Sequence, residues 1–231
     1  MRLLNWNIQS GGGKRVPGIL TAIAAHRPAL VVITEFRTGV SGNALRQGLD
    51  ALGLIHQRTA IAEYNKNSVL VASARQLQDS TLSVPQELAR HVLTVKIDKV
   101  ELIAAFCAKD EIGKPFAAYL AQCLPSPGKP LIATGDFLYG PLPSDAKADR
   151  HLRVARAAGW VDTLRTDGRP DPGWSFRGSR GGRSAPDHLW VSPDLASDVL
   201  SARFSPEELD SALSDHAPLL AEFQPARFPV F

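Results

Sequence analysis

An α/β sandwich is the fold class this 231-residue sequence predicts, on three observations. Short apolar runs alternate with helix-like segments in its first quarter, hairpin-like strands crowd its middle, and three further strand-like runs close it. The hairpin-like middle disfavours a purely parallel sheet. At 44% hydrophobic the chain can bury a full core, and without an internal repeat or low-complexity linker one domain over residues 1–231 is expected.

The elements follow in order. "LLNWNI" (Leu3 to Ile8) is strand-like, and "VPGILTAIAAH" carries apolar residues at helical spacing with Pro17 in its first turn. "ALVVITEF" is a buried strand that reaches Glu35. "SGNALRQGLDALG" is a second helix, with Ser41 as its cap and Gly53 as its stop. "SVLVAS", "HVLTVKI" and "VELIAAF" are strands, the last two joined as a hairpin through Asp98 and Lys99. The helix "PFAAYLAQCL" leads through "PSPGKP" into the strand "LIATGDF", and another helix runs from about Ala146 to Ala158. "DHLWVS", "VLSARFS" and "APLLAEF" are the closing strands. Between them, Asp167 to Ser184 is the segment richest in Gly, Pro and Arg and reads as a long surface loop.

Lys and Arg exceed Asp and Glu by 26 to 23, which permits an anionic partner without a histone-like footprint. The charge is uneven: Arg169 to Arg183 holds four Arg and one Asp, whereas all four charged residues from Ser205 to Asp215 are acidic. Two cysteines, Cys107 and Cys123, make neither a disulfide framework nor a zinc finger and suit a reducing compartment. The N-terminus lacks the apolar core of a signal peptide, and no apolar run approaches the ~20 residues of a membrane span. A cytoplasmic protein is expected.

Polar residues of one kind recur at strand ends. Asn7 closes the first strand, Glu35 follows "VVIT", Asp136 follows "LIATG", Asp187 opens "DHLWVS", and Asp215 with His216 precedes the last strand. Each alone is an ordinary turn residue. Together the four carboxylates repel one another unless a cation neutralises them. Hard oxygen donors without thiols suit Mg²⁺ or Mn²⁺ rather than zinc, and a histidine beside them can carry a proton or offset negative charge. Competing motifs fail. "SGGGKR" lacks the first glycine and final hydroxyl of a P-loop, "GWSFR" lacks the closing glycine of a nucleophile elbow, and no histidines have H-E-x-x-H spacing.

The stretches "LLNWNI", "VVITEF", "NSVLVAS", "TGDF", "PDHLWVS" and "LSDHAPL", in that order from residue 3 to about 223, resemble the endonuclease/exonuclease/phosphatase superfamily. The resemblance implies a four-layer α/β/β/α sandwich of two mixed sheets flanked by helices, with its site at one edge of the sheets. It also implies a divalent-metal-dependent phosphodiester hydrolase acting on DNA, RNA or another phosphodiester. Carried over position by position, Glu35 is the principal metal ligand, helped by Asn7 and Asp215. Asp136 positions or activates the attacking water, His216 contacts the scissile phosphate, and Asp187 orients His216. Three departures stand out: Leu138 replaces the usual Asn of G-D-F-N, Phe106 replaces a tyrosine, and Ala185-Pro186-Asp187 replaces R-I-D. They open an alternative, a catalytically weak phosphate- or nucleic-acid-binding module. The loop's Arg177, Arg180 and Arg183 with Trp174 and Phe176 can grip phosphates and stack bases; alternatively, Trp174 packs on the core. Neither a membrane nor a protein partner is inferred.

Overall fold

Side chains along each central strand alternate between two cores, and that alternation builds the architecture. The computed structural model describes residues 1–61, 63–107, 110–124, 128–137, 149–165, 173–225 and 228. The elements are β1 (Arg2–Asn7), α1 (Val16–His26), β2 (Leu30–Phe36), α2 (Val40–Ala51), β3 (His56–Thr59), β4 (Ser68–Ser73), β5 (Leu77–Asp79), β6 (Val92–Ile97) and β7 (Val100–Phe106). They continue with α3 (Asp110–Cys123), β8 (Leu131–Asp136), α4 (Asp149–Ala157), β9 (Val161–Asp162), β10 (Phe176–Arg177), β11 (Arg183–Ser184) and β12 (Asp187–Val191). Last come α5 (Pro193–Ala196), β13 (Val199–Phe204), α6 (Glu207–Asp210) and β14 (Leu219–Phe223).

Two six-stranded sheets form, in the orders β13-β14-β1-β2-β4-β3 and β5-β6-β7-β8-β12-β9. Both are mixed, because β1 runs parallel to β2 and β7 to β8 while their other neighbours are antiparallel. Leu4, Trp6, Val31 and Ile33 pack outward onto Ile19, Ile23, Leu45 and Leu49 of α1 and α2. Leu3, Leu30, Val32, Val69 and Val71 face Leu102, Ala104, Ile132 and Leu189 of the second sheet. The outer face of that sheet, with Ile103, Leu131, Ala133 and Trp190, meets Phe116, Leu120 and Leu152 of α3 and α4. These three cores separate four layers, α/β/β/α, as the resemblance implied.

Towards one edge the inner positions change from apolar to polar. The inner set on β1 is Leu3, Asn5, Asn7; on β8 it is Ile132, Thr134, Asp136; on β12 it is Asp187, Leu189, Val191. Register brings these ends together, since Asp187 is paired with Asp136, and Asp136 with Phe106. Gly135 makes the approach possible: its φ is +148°, and a Cβ there would lie 1.9 Å from the Ala105 carbonyl oxygen.

Three expectations change. The second helix starts at Val40 with Gly39 as its N-cap, so Ser41 lies inside the first turn and makes no cap. The Asp167–Ser184 segment is not wholly loop: β10 and β11 pair as a small hairpin, and Ser175 is buried. The polar edge strand β3 and the short strand β5 were not anticipated. Asp98 adopts a φ of +55° between paired Ile97 and Val100, the two-residue turn expected there. Leu138 lies outside the described residues, as do residues 167–172 of the Arg-rich segment and the expected start of the fourth helix at Ala146.

Candidate active site

A bulge puts Glu35 in the site. The β2–β4 register shifts between Thr34 and Phe36, which leaves Glu35 unpaired with a φ of +54° and turns its side chain towards the sheet edge. The loop after β1 then wraps it. The Ser10 N–H donates to Glu35 Oε2 at 2.6 Å, and the Gly11 N–H donates to the Glu35 carbonyl at 2.8 Å. Asn7 stands between two carboxylates: its Nδ2 donates to Glu35 Oε1 at 3.2 Å and to Asp136 Oδ2 at 2.9 Å. Its Oδ1 accepts the Gln9 N–H at 2.9 Å.

Asp187 and His216 form the expected pair, with Nδ1 2.8 Å from Asp187 Oδ2. The same oxygen accepts a hydrogen bond from Ser175 Oγ at 2.7 Å. Nε2 of His216 faces Asp136 Oδ2 at 3.9 Å. The residue is held at three further points, two on its backbone and one on its ring. Trp6 Nε1 donates to the His216 carbonyl at 2.8 Å, the His216 N–H donates to Ser214 Oγ at 3.2 Å, and the Phe176 ring lies 4.9 Å away. Burial acts to lower the His216 pKa. The charge and hydrogen bond of Asp187, with the charges of Asp136 and Asp215, outweigh it and raise the value from 6.5 to about 9. At neutral pH the side chain is an imidazolium, an anion-stabilising group rather than a base.

Asp215 is half-buried beside this pair and accepts from Gln9 Nε2 at 3.0 Å. The structure thus brings Asn7, Glu35, Asp136, Asp187, Asp215 and His216 to one sheet edge. The Arg residues stand apart in role. Arg177 Nη2 is paired with Asp210 at 2.9 Å, and the guanidinium groups of Arg177 and Arg183 lie 5.1 and 4.4 Å from the Trp174 ring centre. Trp174 is partly buried and packs against the inter-sheet core, so one ring carries both guanidinium groups. Arg180 is exposed near the hairpin tip, where the Gly178 N–H bonds the Gly182 carbonyl.

Three contributors carry no signal in the sequence: Ser175, Gln9 and Ser10; Phe176, expected as a base-stacking aromatic of the loop, lies against the His216 ring. Ser175 lies in the "GWSFR" stretch dismissed as a failed nucleophile elbow, and its hydroxyl serves Asp187 instead. Behind the site, Arg165 Nη1 bonds Asp162 Oδ2 at 3.1 Å and reaches His188 Nδ1 at 3.3 Å, fixing the outer face of β12 next to Asp187. Phe106, 3% exposed, fills the core beside Asp136.

The donor chemistry fits a hard divalent cation. Among the described residues no three carboxylate, histidine or cysteine side chains form a cage. Mg²⁺ needs none: it takes one or two carboxylates, keeps several waters and completes its shell with substrate phosphate. Glu35 is the partly exposed carboxylate that suits it, and the Asn7 amide holds one of its oxygens in place.

The sequence matches the Endonuclease/Exonuclease/phosphatase family over residues 4–216, and the chain belongs to that family. Phosphoester hydrolysis is the family's chemistry. Among solved structures, the chain resembles a 3'-5' exonuclease (NExo) from Neisseria meningitidis at 20% identity and a TM-score of 0.79, over 97% of this chain and 100% of that one. It is equally similar to a variant of the Neisseria 3' phosphatase NExo bound to a product DNA hairpin. An AP endonuclease from Archaeoglobus fulgidus matches at 17% identity and a TM-score of 0.79, over 96% and 99% of the two chains. Such identities establish the shared fold. No curated protein sequence matches the chain. Among the described residues no helix is long and apolar enough to cross a membrane.

Proposed function

We propose that the chain is a nuclease that hydrolyses phosphodiester bonds of nucleic acid with Mg²⁺ or Mn²⁺. The observation that carries this reading is His216, held as an imidazolium by Asp187 with its Nε2 facing the Asp136 carboxylate. Two groups 3.9 Å apart can both bond one water, since bonds of about 2.8 Å from each close a triangle. Asp136 takes the proton of the attacking water as the new P–O bond forms. His216 donates Nε2–H to the phosphoryl oxygen on which negative charge grows, and Asp187 keeps the proton on the ring. The phosphorus–oxygen bond to the leaving group then breaks, and the leaving oxygen is protonated from solvent. Glu35, steadied by Asn7 and Ser10, and Asp215 would hold the cation, which when bound supplies Lewis-acid stabilisation of the phosphate oxygens. The exposed Arg180 and Arg183 extend cationic surface from the same hairpin that carries Ser175 and Phe176, in keeping with a polyanionic substrate. The structural neighbours are an exonuclease, a phosphatase bound to a DNA hairpin and an AP endonuclease, which supports DNA as the first substrate to try.

A second reading, a binding module that has lost turnover, draws on Phe106, which puts an apolar ring beside Asp136 in the register. The two are separated by assaying single-stranded DNA, duplex DNA, RNA and a chromogenic phosphodiester with each metal. Hydrolysis of at least one is expected. Calorimetry should show Mg²⁺ binding that Glu35→Ala removes. Equal metal binding by wild type and variant overturns the metal assignment, and binding of every substrate without cleavage favours the module.

A further inference from the structure

The end of β1 and the loop after it carry Asn7 and Gln9, and the segment before β14 carries Asp215 and His216. These two stretches, more than two hundred residues apart in sequence, are stitched together side by side. Ser214 Oγ donates to the Asn7 carbonyl at 2.6 Å, Gln9 Nε2 bonds Asp215, and Trp6 Nε1 bonds the His216 carbonyl. The first stretch is conformationally costly. Gln9, Ser10, Gly11, Gly12 and Gly13 are five consecutive residues with positive φ, at 53, 54, 75, 70 and 51°, and two of them have side chains that disfavour it. Something must hold that backbone, and Arg15 is placed to do so. Its Nη2 donates to the carbonyls of Ile8 at 3.2 Å and Gln9 at 2.6 Å, and its Nη1 donates to the carbonyl of Leu213.

We propose that Arg15 is a positioning residue for the active site, a guanidinium clamp that locks the Asn7–Gln9 loop to the Leu213–His216 segment. The inference rests on the hydrolase reading for its kinetic consequence, but not for its structural one. A planar fork with five N–H donors can serve three carbonyls on two strands of chain at once, whereas an ammonium on a flexible stem cannot match that spread. Charge-assisted bonds to carbonyls are about twice as strong as neutral ones, so the clamp offsets the backbone conformation that presents Ser10 N–H to Glu35. Arg15 touches neither Glu35, Asp136 nor His216 in the hydrogen bonds described, so it acts through the loops and not on the phosphate.

Wild type, Arg15→Ala and Arg15→Lys decide the matter in two measurements. In ¹⁵N NMR, the Gln9 carboxamide and His216 imidazole signals should move in Arg15→Ala and return when guanidinium is added at concentrations far below those that unfold the protein. In hydrolysis assays, Arg15→Ala should lose about 10- to 100-fold in kcat, the scale of a small misplacement of catalytic groups, with KM within about twofold. Guanidinium should restore activity to Arg15→Ala, and not raise that of wild type or Arg15→Lys. Unmoved signals with unchanged kcat overturn the clamp. So does a folded Arg15→Ala whose signals and rate ignore guanidinium. If Arg15→Ala does not fold, Arg15→Lys takes its place: wild-type signals in that variant overturn the need for a fork. If wild type cleaves nothing, the hydrolase reading fails by itself and the NMR comparison still judges the clamp.

Discussion

Two donors converge on one oxygen of Asp187, Ser175 Oγ–H and His216 Nδ1–H, while its Oδ1 is buried with no hydrogen-bond partner among the described residues. A buried carboxylate so placed is balanced mainly by the imidazolium it faces. The titration midpoint of His216, followed by NMR, should therefore lie near 9 and fall in Asp187→Asn, which removes the charge that raises it. Stability has a matching sign. A histidine whose folded pKa exceeds its unfolded 6.5 contributes stability in full below that pH and loses it as pH rises through about 9. Asp187→Asn should cost about 3–5 kcal/mol near pH 6, and the gap to wild type should narrow towards pH 10. A gap that stays constant with pH would show that the pair is not ionised as described.

At the scale of elements, the site is made by departures from regular structure at strand ends: the β2 bulge at Glu35, the glycine before Asp136 and the β10–β11 hairpin beside His216. Gly135→Ala should destabilise the fold by about 3 kcal/mol, since its Cβ meets the Ala105 carbonyl head-on; a melting temperature equal to wild type would show that β7 and β8 can part. Arg177 is already engaged by Asp210, so Arg180 and Arg183 are the cations to test together. Replacing both with Ala should shallow the log–log salt dependence of single-strand binding by about 1.4, or about 0.7 for each phosphate no longer neutralised; an unchanged slope would remove the hairpin from the binding surface. The sequence displayed the carboxylates because they end long apolar runs, where a charged residue is conspicuous. It hid Ser175, Gln9 and Ser10, which act through a hydroxyl, an amide and a backbone N–H that every loop possesses. It also hid β3, β9, β10 and β11, since polar four-residue and two-residue strands carry no readable alternation.

Across the whole molecule, one inter-sheet core runs apolar from Leu3, Leu102 and Val191 to the edge where Asn7, Asp136 and Asp187 take over. Burial there supplies low-dielectric walls that strengthen the hold of the His216 imidazolium on the carboxylates around it. The layers were legible from the alternation of strands and helices together with the family resemblance. That these polar strand ends gather at one edge was legible too, but their hydrogen-bond connectivity was not, because which carboxylate oxygens the Asn7 amide meets leaves no mark in the sequence. Asp136 is the residue on which the catalytic account turns. The most direct test is single-turnover hydrolysis of a DNA oligonucleotide by wild type and Asp136→Asn, with Mg²⁺ and with chelator, while binding is measured in parallel. Wild type should cleave only with metal, and Asp136→Asn should cleave at least about 10²-fold more slowly while binding nearly as well. Cleavage by Asp136→Asn at the wild-type rate, or wild-type cleavage indifferent to metal, would contradict the account.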